Sequence, residues 1–176
     1  MPAVSERLMI KVHIILLSVF IYSSLVIASS AFTREEWGTG RNYGEVAGFQ
    51  YDFRVVCAPY SEAKSKMAEI NKWLGEDSYD PPRFVVTNIT IEINGVNIDI
   101  PEVTFTDLGN PIGAYGMSVE KEGPYLLFKL KGGDGAGSYT AIFVVQNEKI
   151  IKRQISEYIP QTDKYGITET IDLINR

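Results

Sequence analysis

Apolar and polar residues alternate along much of the chain, with the period of two that a β-strand with one buried face requires. Residues 49–57 show this pattern first, and their apolar members include Phe49, Phe53 and Cys57. The alternation predicts a strand that carries the chain's single cysteine on its inward face. Pro59 ends the strand, because proline cannot donate a hydrogen bond to a neighbouring strand.

The strongest turn signal is Asn94-Gly95, since these residue types accept the positive backbone φ angles of a type I′ turn. Apolar residues stand at every second position on both sides of it. A two-residue turn there pairs Ile93 with Val96, Ile91 with Ile98 and Ile89 with Ile100. The pattern therefore predicts an antiparallel hairpin with one apolar face, stopped at Pro101.

Shorter apolar stretches indicate further strands downstream. These strands are predicted at residues 103–106, 125–130, 139–145 and 150–155. The stretch 139–145 is the most apolar of them, which favours a central place in its sheet. Residues 167–174 carry apolar side chains at mixed spacings, which fit either a short helix or an edge strand.

One segment has a helical period instead. Its apolar residues recur at spacings of four, three and four, at Ala63, Met67, Ile70 and Leu74. Ser61 can cap the start of this helix and Gly75 its end. The expected fold class is therefore α+β, with an antiparallel sheet of about five to seven strands and one main helix, Ser61 to Leu74, packed across one face.

Three glycine-rich segments lack an apolar period and are interpreted as loops: a lead-in over residues 33–48, and two later loops over 107–116 and 132–138. Loops held by a stable core are where binding residues concentrate. The two later loops are thus the first candidates for a contact surface. Their candidate binding residues are Asp107, Asn110, Tyr115, Asp134 and Ser138.

The N-terminal segment, residues 1–31, has the pattern of an export signal: a basic start, an apolar run over 12–27 and a tail of small residues. Small residues permit cleavage after Ala28 or after Ala31. The alternative is an uncleaved membrane anchor formed by residues 12–28, because the run is only slightly shorter than a bilayer span.

An export signal implies a secreted or periplasmic protein, which touches a membrane only if that segment is retained. The expected organisation after it is a flexible lead-in over residues 32–48 and a single α+β domain over residues 49–176.

Composition narrows the chemistry. The only histidine, His13, lies inside the apolar run, so the expected domain has no imidazole, and Cys57 alone cannot form an internal disulfide. A formal net charge of −5 argues against nucleic acid as a partner. No residue spacing indicates a cofactor or a metal site. Lys149, Lys152 and Arg153 form a small basic cluster, interpreted as the solvated face of an edge strand.

These features favour a non-catalytic binding or accessory module of the periplasm, cell envelope or extracellular space, with a protein or carbohydrate ligand. One alternative is a small carboxylate-dependent hydrolase of envelope polysaccharide, which needs two acids converging in a concave pocket. A second alternative is a carrier whose sheet curls around an apolar ligand, for which a cavity lined by Phe, Leu and Ile would be the sign.

Overall fold

A computed structural model of the chain describes residues 38–63, 73–75, 81–133, 137–159 and 162–174, together with the backbone of residues 31–33. The described strands are β1 (Ala31–Thr33), β2 (Gly40–Val46), β3 (Phe49–Pro59), β4 (Phe84–Ile93), β5 (Val96–Ile98), β6 (Met117–Glu122), β7 (Tyr125–Gly132), β8 (Tyr139–Gln146), β9 (Lys149–Ile159) and β10 (Lys164–Asp172). A four-residue helix, α1 (Tyr60–Ala63), and two 3₁₀ turns, Glu102–Thr104 and Gly113–Gly116, complete the described elements.

The strands form two antiparallel five-stranded sheets, each built in chain order. Sheet 1 has the order β1-β2-β3-β4-β5, and sheet 2 has the order β6-β7-β8-β9-β10. Every strand therefore pairs with its neighbour in sequence, and residues 99–116 carry the chain from one sheet to the other. Local pairing of this kind needs few long loop closures during folding.

The two sheets pack face to face through aromatic side chains. Phe128 of β7 meets two rings of β3 edge-on: its ring centroid lies 5.5 Å from that of Phe53 and 6.2 Å from that of Tyr51. Phe53 also contacts Phe143 of β8, with ring centroids 6.5 Å apart. The three phenylalanines are fully buried. Edge-to-face contacts between rings of opposite sheets therefore form the centre of the core.

The predicted fold class is wrong, because the described part of the chain is nearly all β and contains no main helix. Of the predicted helix Ser61 to Leu74, residues 61–63 belong to α1, and residues 64–72 lie outside the described residues. Leu74 instead forms a parallel β-bridge with Leu108. Sheet 2 provides the cover for the apolar face of sheet 1 that the helix was expected to provide.

The interpretation of residues 33–48 as a flexible lead-in is wrong for residues 40–46, which form β2 and pair along their whole length with β3. Gly40 serves close packing, since a Cβ added to it would lie 2.4 Å from the backbone nitrogen of Ala114. Asn42 is buried, and its Nδ2 donates to the carbonyl oxygen of Met117 at 2.9 Å. The folded unit thus begins before residue 49.

The predicted strand at residues 103–106 is also wrong, because this segment forms the 3₁₀ turn Glu102–Thr104. The Thr104 hydroxyl donates to the carbonyl oxygen of Pro101 at 2.7 Å. This local hydrogen bond favours a turn over pairing with a neighbouring strand. Phe105 is buried directly after the turn while Val103 remains exposed.

The Asn94-Gly95 hairpin is confirmed. Ile91 pairs with Ile98 and Ile93 with Val96, and the turn residues have φ angles of 51° and 81°. The third predicted pair, Ile89 with Ile100, does not form, since β5 ends at Ile98.

Two predictions about sheet 2 can be compared with its strand order. The prediction of a central strand at 139–145 is confirmed, because β8 is the third strand of sheet 2. The tail of the chain, for which a helix and an edge strand were both open, is the edge strand β10.

The outer face of sheet 1 carries a compact ion-pair cluster. Asp52 accepts two hydrogen bonds from Arg41, at 2.9 and 2.7 Å, and a 2.8 Å bond from Nη2 of Arg54. These guanidinium groups, with the hydrogen bond from Arg41 foremost, lower the pKa of Asp52 to about 2.

The contribution of this cluster to stability can be tested by neutralising Asp52 and measuring the free energy of unfolding as a function of pH. The pKa of an aspartate in an unfolded chain is about 3.9, so the stabilisation from Asp52 is complete above about pH 4 and is lost as the pH falls towards 2. The Asp52→Asn variant should be less stable than the natural protein above pH 4, and the difference in unfolding free energy should shrink below it. Urea unfolding across this range measures the difference, with Glu45→Gln as the exposed control. A difference that stays constant down to pH 2 would contradict the expectation.

Truncating the central ring tests the sandwich core. Phe128→Ala should lower the free energy of unfolding by about 3–5 kcal/mol, because it removes buried area and leaves a cavity between the sheets. Val56→Ala, at an exposed position of β3, should cost less than about 1 kcal/mol. Equal costs in chemical denaturation followed by circular dichroism would show that Phe128 is not a centre of the core.

Candidate functional site

The structure brings the two candidate loops together at one end of sheet 2. Pro111 forms an antiparallel bridge with Gly132, and the Ile112 amide donates to the carbonyl oxygen of Lys131 at 3.0 Å. The Gly133 amide donates to the carbonyl oxygen of Asn110, also at 3.0 Å. Backbone hydrogen bonds therefore fix this end, which we call the loop end.

Asn110, one of the five candidate residues, has a structural role. Its φ angle is 46°, a left-handed conformation that asparagine tolerates. Its side-chain oxygen accepts the amides of Arg83 at 3.0 Å and Phe84 at 3.3 Å. Beside it, the buried Tyr139 hydroxyl donates to the carbonyl oxygen of Gly109 at 3.0 Å. These polar groups hold the loop end together and are already engaged in hydrogen bonds within the protein.

The other candidates at this end differ in exposure. Tyr115 lies in the 3₁₀ turn Gly113–Gly116 and is 80% exposed. The Ser138 hydroxyl lies 3.2 Å from the hydroxyl of Tyr165, whose ring packs edge-on against Tyr158. Asp134 lies outside the described residues. The exposed tyrosines thus remain surface candidates.

Asp107 belongs to an ion-pair cluster centred on the buried Arg153. The Arg153 side chain is 0% exposed; its Nη1 donates to Asp107 and its Nη2 donates to Glu169. The interpretation of Arg153 as part of a solvated basic face is therefore wrong. Within the described residues its Nε has no hydrogen-bond partner.

A β-bulge in β10 directs Glu169 to this guanidinium. The strand register shifts between Ile167 and Glu169, so that Glu169 lies opposite Ile155, whose side chain is buried. Without the shift it would lie opposite Gln154, on the other face of the sheet, because side chains alternate between faces. The bulge thus interrupts the regular pairing of β10 and places the Glu169 carboxylate on the inner face of the sheet.

Cys57 is a structural thiol at the loop end. Its Sγ donates to the carbonyl oxygen of Gly38 at 3.1 Å, and its amide donates to the Thr39 hydroxyl at 3.0 Å. Burial raises the pKa of Cys57 to about 12. The nucleophilic thiolate form is therefore strongly disfavoured at neutral pH.

A cavity of about 410 Å³ opens at the opposite end of the sandwich. We call this the hairpin end, because it carries the turns at 47–48, 94–95, 123–124 and 147–148. The floor and walls of the cavity are apolar and come from both sheets: Phe49 and Ile93 from sheet 1, Leu126 and Val145 from sheet 2. It therefore lies between the sheets, beyond the aromatic centre of the core.

The rim of the cavity is polar. Asn94 and Asn147 stand first in their turns with φ angles of 51° and 50°, and Lys121, Pro124 and Glu148 complete the lining. The Asn94 side-chain oxygen accepts the amide of Gln50 at 3.0 Å. The Lys121 ammonium lies 5.3 Å from the centroid of the Phe49 ring, a cation–π geometry.

Sequence reasoning missed this cavity, although part of its signal was visible. In an antiparallel meander, alternate turns lie at the same end of the sheet. The sequence therefore places the turn at 94–95 at one end of sheet 1 and the turn at 147–148 at one end of sheet 2. The distance between the sheets at that end depends on side chains far apart in sequence. Only the packed structure places the two ends together.

Three searches give negative results. In the described ranges no helix is long and apolar enough to cross a membrane. Nor do the described residues include a group of three or more His, Cys, Asp or Glu side chains that could hold a metal ion. Comparison with known proteins finds no match to a family model, to a characterised protein sequence or to a solved structure.

For the Arg153 cluster, we expect that replacing the arginine lowers the free energy of unfolding less than neutralising both of its carboxylate partners does. The Asp107 and Glu169 side chains are 25% and 45% exposed, so both can be hydrated if Arg153 is replaced. Arg153→Met should therefore cost less than about 2 kcal/mol of unfolding free energy, whereas Asp107→Asn with Glu169→Gln leaves a buried guanidinium without counter-charge and should cost about 3–5 kcal/mol. Urea titration of both variants measures this order, and the reverse order would show that the carboxylates carry the larger desolvation cost.

Proposed function

We propose that this protein is a non-catalytic binding module that holds a small molecule by its apolar part in the cavity at the hairpin end. The observation that carries the proposal is the make-up of the cavity, an apolar floor contributed by both sheets under a polar rim. Small-molecule sites commonly combine these features in volumes of about 300–1,000 Å³. This composition supports the carrier hypothesis among those that the sequence left open.

The energetic basis of binding is burial of apolar surface. Phe49 is partly buried and Pro124 is exposed, so these apolar residues of the lining still present surface that a ligand can cover. Water in such a cavity finds few hydrogen-bond partners at the floor. A ligand that covers this surface gains about 25 cal/mol for each Å² removed from water.

The hydrolase alternative finds less support in the arrangement of acidic residues. Asp107 and Glu169 approach each other, but both are bound by the guanidinium of Arg153. That guanidinium occupies the space between them, which a glycosidic substrate would need. Among the described residues, the cavity is lined by a single carboxylate residue, Glu148.

Export remains part of the proposal. The signal pattern over residues 1–31 is the reason to expect that the ligand is met in the periplasm or outside the cell. A binding module in such a compartment works by capture and release and needs no cofactor.

Titration with N-phenyl-1-naphthylamine, a neutral probe whose fluorescence rises in apolar surroundings, tests the proposal. The natural protein should give a saturable rise with one site per chain. Leu126→Trp, which fills the floor, and Pro124→Trp, which narrows the mouth at an exposed turn, should each weaken binding by about tenfold or more, equal to about 1.4 kcal/mol.

Val103→Trp is the matched control, because it adds the same ring at an exposed position outside the cavity lining. Its probe affinity should equal that of the natural protein. Circular dichroism of each variant separates loss of binding from loss of fold. A probe that fails to saturate, or that binds Pro124→Trp and the natural protein equally, would refute the proposed function.

A further inference from the structure

We infer that the cavity selects a monocarboxylate with an apolar tail, such as a medium-chain fatty acid. This inference rests on the proposed function and names the class of its ligand. It follows from the charges and hydrogen-bond donors at the rim, Lys121 and Asn94, taken together with Glu148.

Lys121 supplies the positive charge. Its ammonium lies over the ring of Phe49, which itself lines the cavity. Among the described residues no carboxylate oxygen lies within 4.0 Å of this ammonium, whereas Lys129 on the neighbouring strand has a 2.6 Å ion pair with Glu120. An anionic group at the mouth would therefore pair with Lys121 without displacing a partner that the structure shows.

Asn94 supplies a second donor. Because its Oδ1 accepts the amide of Gln50, the Nδ2 group is the part of this side chain left for a ligand. Lys121 and Asn94 thus offer donors to an acceptor-only group on the rim of one cavity. A carboxylate has two acceptor oxygens and suits such a pair, and hydrogen bonds to charged groups are the stronger ones.

Glu148 limits the charge of the head group. Its carboxylate lines the same cavity, so a second negative charge on the ligand would be repelled. This disfavours a phosphate monoester, which carries close to two charges at neutral pH. The described side chains of the floor are all apolar, so the rest of the ligand has to be apolar as well.

Displacement of N-phenyl-1-naphthylamine by decanoate, decan-1-ol and decyl phosphate, at about pH 7.5 where the carboxylic acid is ionised, tests the inference. The natural protein should bind decanoate at least about tenfold more tightly than decan-1-ol, because hydrogen bonds to a charged group are stronger than those to a neutral one. Lys121→Met should abolish this preference, chiefly by weakening the binding of decanoate. Glu148→Gln should admit decyl phosphate.

Lys131→Met is the matched control, since it removes an exposed lysine at the opposite end of β7 and should keep the preference for decanoate. If the probe binds but decanoate and decan-1-ol compete equally in the natural protein and in Lys121→Met, the ligand class is wrong and the cavity function stands. If the probe itself does not bind, the proposed function fails first. Preference for decyl phosphate in the natural protein would overturn the role of Glu148.

Discussion

The edge-on contact between Phe53 of sheet 1 and Phe128 of sheet 2 governs how closely the two sheets approach each other. Both rings are fully buried, and Phe143 and Tyr51 extend the contact along the interior. Packed interiors leave few voids larger than a water molecule. Rings that fill the middle of the sandwich hold the sheets apart, and at the hairpin end the space between them is left open as a cavity.

The two ends of the sandwich are therefore unlike. At the loop end, glycines allow close backbone approach, and Asn110 and Tyr139 consume their polar groups in internal hydrogen bonds. At the hairpin end, two-residue turns leave asparagine, lysine and glutamate side chains around an apolar opening. The hydrogen-bonded order of the loop end and the unfilled space at the hairpin end together support a rigid module with a small-molecule site at the hairpin end.

Local features were predictable from sequence, and long-range ones were not. The Asn94-Gly95 turn and the pairing beside it depend on residues within one hairpin, so alternation was sufficient to predict them. The glycines around β2 resemble a flexible loop in sequence, because the close contact of Gly40 with the 3₁₀ turn near Ala114 involves residues about seventy positions away. Arg153 resembled a solvated residue, since its acidic partners lie on a distant loop and beyond a bulge. The cavity needed the relative placement of both sheets.

The most direct test of the central claim, that the hairpin end is a ligand site, is to titrate the ¹⁵N-labelled protein with decan-1-ol and to follow the backbone amide resonances by NMR. The account predicts saturable shifts around residues 47–50, 93–95, 121–126 and 145–148, with little change near Tyr115 at the loop end. Shifts confined to the loop end, or no saturable shift at all, would contradict it.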